Sequence, residues 1–253
     1  QGVVTVSSDK KTLFFEPKVG FIGDADITYT IADTQSNKAS AHVFVSVKAL
    51  QSLSARQDTT CAVTPSGTVK CWGGSDFGQL GDNDEVMAAL TDSSQKFKSA
   101  PVTVANLNGI KQVAVGYNHA CAIFQTGSVS CWGDNSRGQI GDGTTTLRPQ
   151  ATPVVGLSAK VTQLALTYQS SCALLETGAV QCWGGNTQGE LGVGQTAKIN
   201  QSTSPISVVL LNNVTIKRLV SGRQHLCGIT NSDTLVCWGW NDLGQLGLTD
   251  TNP

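Results

Sequence analysis

The chain has 253 residues, 40% of them hydrophobic and only 6% aromatic, and a formal net charge of −1. That length holds a sizeable core, and that composition suits an all-β protein. The charge supplies no basic field for phosphate, so electrostatic nucleic-acid binding is excluded, and no run of about 20 apolar residues offers a transmembrane helix.

Residues 1–48 contain no cysteine and no tryptophan. Gly2–Val6, Thr12–Phe15, Ile27–Ile31 and Ala41–Val47 carry the β-branched, alternating pattern of strands, with turn residues between them. The phrase Phe21-Ile-Gly-Asp-Ala-Asp-Ile-Thr-Tyr-Thr-Ile-Ala-Asp33 resembles the C-terminal half of the cadherin-like, immunoglobulin-type repeats of large bacterial surface proteins. Such a sandwich needs about seven strands, so the resemblance implies a partial β-sandwich over 1–48 whose first strands lie outside this chain. Asp24, Asp26 and Asp33 are weak candidates for calcium ligands, as in some relatives; solvated turn carboxylates are the plainer reading. The boundary to the next region falls near Lys48–Ser52.

From residue 50 onward one cassette recurs four times. Each copy has a cysteine, a second cysteine ten positions later, Trp-Gly, and a Gly-Gln/Glu-Leu/Ile-Gly tail. The copies run Cys61…Cys71-Trp72…Gly78, Cys121…Cys131-Trp132…Gly138, Cys172…Cys182-Trp183…Gly189 and Cys227…Cys237-Trp238…Gly244. The tryptophans are 60, 51 and 55 residues apart, the period of a propeller blade or solenoid unit. All eight cysteines lie in these cassettes.

Between its cysteines each copy reads strand, tight turn, strand. The turn triplets are Pro65-Ser66-Gly67, Gln125-Thr126-Gly127, Glu176-Thr177-Gly178 and Asn231-Ser232-Asp233, and each ends in a residue that tolerates a left-handed backbone. Taking the triplets as hairpin loops sets Phe124 against Ser128 and, by counting outward, Cys121 against Cys131. The same count pairs Cys61 with Cys71, Cys172 with Cys182 and Cys227 with Cys237. Directly opposed residues of an antiparallel pair are within disulfide reach. The alternatives are buried free thiols or a metal site, but the C-x-x-C and helical His spacings of zinc sites do not occur. His119 and His225 precede a cysteine by two positions, while the other copies have Thr59 and Ser170 there. Regular disulfides imply an oxidising compartment, hence a secreted or cell-surface protein.

Upstream of the later cassettes lie further apolar stretches: Pro101–Val104 and Ile110–Val115, Pro153–Val155 and Val161–Leu166, Pro205–Leu210 and Ile216–Val220. Four short strands per repeat describe a propeller blade. The string from Ile110 through Cys121, Trp132 and Gly138 to Gly143 closely resembles the regulator of chromosome condensation repeat, and the resemblance covers residues 50–253. It implies β-propeller repeats over about 49–99, 100–151, 152–203 and 204–253, four of a ring that typically has seven. Completion of that ring by further sequence or another subunit is expected, and self-assembly is an option. The resemblance also implies that Trp72, Trp132, Trp183 and Trp238 pack between blades, that Gly78, Gly138, Gly189 and Gly244 belong to structural turns, and that the two histidines are core residues rather than ligands.

No phosphate-binding loop, nucleophile elbow or H-E-x-x-H motif is present. The expectation is therefore a non-enzyme without cofactor or resident metal, acting as an extracellular or cell-surface protein-interaction module, adhesin-like or part of a surface assembly, with a protein partner or surface receptor. A secreted inhibitor that plugs an enzyme through one propeller face is the alternative. Guanine-nucleotide exchange, the activity of the family's founder, requires a cytosolic or nuclear setting that the cysteine pattern opposes. The polar insertions Asp82–Ser99 and Val193–Ser204 are the expected recognition loops, with Met87 and Leu90 as anchors. Asn200 and Asn213 head glycosylation sequons.

Overall fold

The computed structural model describes residues 2–47, 49–83, 96–194, 199–209 and 214–248. The chain divides into two compact units, Gln1–Leu50 and Gln51–Pro253. The described residues are strands, turns and loops throughout, with no helix.

In the first unit β1 (Gly2–Val6) pairs with β2 (Leu13–Pro17), and β3 (Gly23–Ala32) pairs with β4 (Lys38–Val47), each pair antiparallel. The second hairpin is longer than the apolar pattern suggests. Its ladder runs on from Asp24 opposite Ser46 to Ala32 opposite Lys38. Both faces are largely exposed, so no buried stripe marks where the strands end: Ala25 is buried, while Ile31 and Phe44 are 63% and 76% exposed.

In the second unit the strands form four antiparallel meanders, each in chain order. The first comprises β5 (Ser52–Arg56), β6 (Thr59–Val63), β7 (Val69–Gly74) and β8 (Phe97–Thr103). The next has β9 (Ile110–Val115), β10 (His119–Phe124), β11 (Val129–Gly133) and β12 (Arg148–Pro153). The third has β13 (Val161–Leu166), β14 (Ser170–Leu175), β15 (Val180–Gly185) and β16 (Gln201–Ser207). The fourth has β17 (Ile216–Ser221), β18 (His225–Thr230) and β19 (Leu235–Gly239). These are successive blades of a β-propeller.

The blades are out of phase with the units read from the sequence. The strands around Pro101, Pro153 and Pro205 close the preceding sheet: Val102 lies opposite Cys71, Pro153 opposite Ser130 and Ile206 opposite Cys182. In the second blade, whose tail is described throughout, the chain after Trp132-Gly133 returns as β12 of the same sheet before the next blade begins. These strands are outermost, where a proline costs no ladder hydrogen bond. The first sheet accordingly needs no Pro-Val strand ahead of it.

Gly67, Gly127, Gly178 and Asp233 end the hairpin turns with φ of 79°, 90°, 83° and 63°. Each turn is closed by the amide of Thr64, Phe124, Leu175 or Thr230 donating to the carbonyl four residues on. That closure fixes the register, and the register sets each cysteine opposite its partner. All four pairs, Cys61–Cys71, Cys121–Cys131, Cys172–Cys182 and Cys227–Cys237, are disulfides, with Cα atoms 4.0 to 4.1 Å apart.

The core lies between blades. One cluster joins Val63, Val69 and Leu80 of the first to Ile110, Val113 and Trp132 of the second. Equivalent clusters join the second blade to the third around Trp183 and the third to the fourth around Trp238. Each bridge closes a hairpin of sequence separation 10, worth somewhat under ~3 kcal/mol in the chain-entropy account. Replacing Cys121 and Cys131 together by alanine is expected to lower unfolding free energy by about that amount, without loss of β-structure, in denaturant titrations followed by circular dichroism.

Candidate interaction surface

The Trp-Gly and tail motifs meet across blade boundaries. Trp132 Nε1 donates to the Gln79 carbonyl at 2.9 Å, Trp183 Nε1 to the Gln139 carbonyl at 2.8 Å and Trp238 Nε1 to the Glu190 carbonyl at 3.0 Å. Each indole thus reaches the tail of the blade before it. Trp72 holds the same position in the first sheet, is only partly buried, and has no preceding tail among the described residues.

The tail is shaped to receive the indole. The side-chain oxygens of Gln79, Gln139, Glu190 and Gln245 fold back to accept the amides of Phe77, Arg137, Gln188 and Leu243. Asn135, Asn186 and Asn241 accept the amides of Ile140, Leu191 and Leu246. These bonds close the turns opened by Gly78, Gly138, Gly189 and Gly244. Gly141, which ends one tail, has φ of 77°, and a Cβ there would lie 2.8 Å from Trp183 Nε1. Glycine is required on both counts.

The two histidines answer a local packing need. His119 is fully buried; its Nε2 meets Ser171 Oγ at 2.9 Å, and Ser171 Oγ donates to the Gln139 carbonyl at 2.9 Å. The ring lies over Gly116, where a Cβ would collide with it, and His225 lies over Gly222 in the same way. The other blades replace the Gly–His pair by Arg56 with Thr59 and by Thr167 with Ser170, where Thr167 Oγ1 and Ser170 Oγ are 2.6 Å apart. Burial, with the Arg56 charge second, pulls the His119 pKa down to about 3 and lowers that of His225. Burial also raises the pKa of Glu190.

The innermost strands β5, β9, β13 and β17 line a cleft of about 440 Å³. At one end of it Arg56 crosses between blades. Its Nη1 donates to the Leu166 carbonyl at 2.6 Å and to Ser221 Oγ at 3.4 Å, and its Nη2 donates to the Gly222 carbonyl. Beyond the strand ends the rings of Tyr117 and Tyr168 meet with centroids 4.3 Å apart, and the Arg223 guanidinium lies 5.6 Å from the Tyr168 centroid. Sequence reasoning missed Arg56. The available signal was that it stands two positions beyond the residue facing the first blade cysteine, where the other blades have Gly116, Thr167 and Gly222.

The acidic residues of the first unit do not converge. Asp33 accepts the amides of Gln35 and Asn37 and the Asn37 side chain in the β3–β4 turn, which lowers its pKa. Asp26 pairs with His42 at 3.0 Å along the ladder, and Asp24 lies beyond it toward the other end. The span from Asp26 to Asp33 is roughly 20 Å at a strand's rise per residue. Among the described residues no group of three His, Cys, Asp or Glu side chains could hold a metal ion. Met87, Leu90 and Asn213 lie outside the described residues, whereas Asn200 is exposed just before β16.

Residues 110–139, 161–190 and 216–245 match one description of the Regulator of chromosome condensation (RCC1) repeat, and 66–123 and 177–229 match a second. Ultraviolet-B receptor UVR8 of Arabidopsis thaliana is 30% identical over 234 residues, covering 91% of this chain and 49% of that protein. Probable E3 ubiquitin-protein ligase HERC6 of Homo sapiens is 31% identical over 215 residues, covering 81% of this chain and 20% of that protein. Prp20p from Saccharomyces cerevisiae, solved in work on its binding properties to Gsp1p and histones, superposes with a TM-score of 0.69 at 20% identity, over 80% of this chain and 48% of its own. Human WBSCR16 gives 0.67 at 19% identity, over 77% and 48%. The chain therefore spans about half or less of each of these proteins, and the two structural likenesses speak to fold.

Gly141→Ala is expected to cost about 1–3 kcal/mol in chemical unfolding, through φ strain and displacement of the Trp183 indole. Acid is expected to act through His119. Unfolded, the ring takes a proton near pH 6.5; folded, not until about pH 3. The unfolded state holds more protons in that window, so stability falls as pH drops through it. His119→Gln should flatten that fall in thermal melts at stepped pH, whatever it does to the absolute midpoint.

Proposed function

The chain belongs to the regulator of chromosome condensation repeat family, and from that premise we propose that it is a non-catalytic protein-binding module acting outside the cytosol, adhesin-like or part of a surface assembly. In this reading residues 49–253 are propeller and 1–48 are a piece of cadherin-like or immunoglobulin-type sandwich. The observation that carries the location is the disulfide in every blade, with all eight cysteines consumed and none free. Bonds of this regularity persist where the surroundings are oxidising.

The binding role is supported by where the recurring residues of the cassettes go. The motif tryptophans, glutamines and asparagines of the cassettes are spent on contacts between and within blades. What is left for recognition is the rim of loops and the axial cleft, carried on a rigid scaffold. The relatives, an ultraviolet-B receptor, a probable E3 ubiquitin-protein ligase and a regulator of chromosome condensation, differ widely in role. A shared fold therefore leaves the partner to be found by its chemistry.

Two measurements test the reading together. Alkylating reagent applied to denatured, unreduced protein is expected to label no cysteine. Immobilised protein is expected to retain, saturably, a protein from the surface fraction of its source organism. Labelling of all eight sulfurs, or retention confined to cytosolic proteins, would overturn it.

A further inference from the structure

The four blades share their packing residues and differ at the axis. The residue two beyond the one facing the first blade cysteine is Gly116, Thr167 or Gly222 in three blades, each small. In the first it is Arg56. No packing need of the repeat asks for a long cation there, since the other blades fill the space with a histidine ring or a hydroxyl pair.

Arg56 is half-buried, and burial disfavours its charge. A guanidinium nevertheless stays protonated at any working pH. All three of its partners are neutral, the carbonyls of Leu166 and Gly222 and the hydroxyl of Ser221. None of the ion pairs among the described residues includes it. Its charge is felt at both neighbouring imidazoles, His119 and His225. A partly desolvated cation with only neutral acceptors gains most from a carboxylate or other anion, because charge-assisted bonds are roughly twice as strong as neutral ones.

The surroundings narrow the choice of anion. Arg223 is exposed, lies over Tyr168, and its carbonyl accepts the Tyr168 amide at 2.7 Å, so that loop and the Tyr117–Tyr168 pair form one rim. Aromatic rings beside a guanidinium suit a carboxylate on a short aliphatic stem. A polyanion would want a broad basic field, and the chain's net charge is −1.

We propose that the axial mouth formed by Arg56, Arg223, Tyr117 and Tyr168 is a carboxylate-binding site whose occupant is an acidic side chain on a loop of a protein partner. This rests on the protein-binding reading above and names the site and chemistry through which it operates.

The test is calorimetric titration of the whole chain at low ionic strength with three probes: an acetylated, amidated glutamate–glycine peptide, its glutamine counterpart, and inorganic phosphate. Saturable binding is expected for the glutamate peptide alone. It should weaken about tenfold or more, some 1.4 kcal/mol, in both Arg56→Gln and Arg223→Gln, and stay unchanged in Arg218→Gln, an exposed residue of β17 that does not line the cleft. Arg56→Gln can loosen the blades it joins, so Arg223→Gln, on an exposed loop, decides if that variant unfolds. Equal binding of the glutamine peptide, binding of phosphate as tightly, affinity unaltered in Arg223→Gln, or no saturable binding would each overturn the site. A protein partner retained equally by wild type and the Arg56→Gln/Arg223→Gln double variant would leave the protein-binding reading standing and remove this mouth from it.

Discussion

The propeller depends on one repeated contact: an indole N–H donating to the main-chain carbonyl at the centre of the preceding blade's tail. Trp132, Trp183 and Trp238 each make it, at 2.9, 2.8 and 3.0 Å. Two terms contribute, and they differ in size. Burying an indole removes on the order of 200 Å² from water, some 4–6 kcal/mol as an upper estimate. The hydrogen bond adds about 1 kcal/mol net, yet leaving that buried donor unpaired would cost about 1–3 kcal/mol. Apolar burial therefore drives the blades together, and the N–H decides where the ring stops. The rest of the cassette serves that stop. Gly141 leaves room for the Trp183 ring, Gln139 folds back to close its turn, and Asn135 holds the amide of Ile140.

Two kinds of restraint act on two levels. The disulfides lie inside blades, between the second and third strands, and act on each hairpin's own unfolded ensemble. The indole latches lie between blades and bind neighbours that are far apart in sequence. Neither can replace the other. A reduced blade still offers its tryptophan, while an oxidised hairpin gains no apolar burial from a neighbouring blade by its disulfide alone. Nearest-neighbour stacking of this kind makes stability a sum over blades and their interfaces.

The hairpin register was readable in advance because the turns announce themselves. Gly67, Gly127, Gly178 and Asp233 all end their triplets where a positive φ is needed, and from those points the cysteines follow by counting. The phase of the blades was not readable. A strand such as Phe97–Thr103 carries nothing that says whether it joins the sheet before or after it; the path of the glycine tail decides, and that path is tertiary. The ends of β3 and β4 were equally hidden, because a hairpin exposed on both faces has no burial stripe to stop. Of the two histidines expected in the core, His119 is fully buried and His225 only half-buried; the glycine beneath each ring emerges only once the strands are in register.

A repeat scaffold uses up its repeated residues. Whatever recurs in every blade is tied to a need that every blade has, so it cannot tell one family member's partner from another's. The informative positions are the departures. Glu190 stands where the other tails have glutamine, and its carboxyl, whose pKa burial raises, still closes the turn by accepting the amide of Gln188; that departure is absorbed by the fold. Arg56 is not absorbed in this way. It replaces a small residue, spans from the first blade to the third and fourth, and brings a charge that no acid among the described residues answers. Its cross-axis bonds stiffen the arc of blades and at the same time hold a cation at the mouth of the cleft. A residue that departs from its repeat, carries an unanswered charge and faces an opening has a use that the repeat itself does not supply.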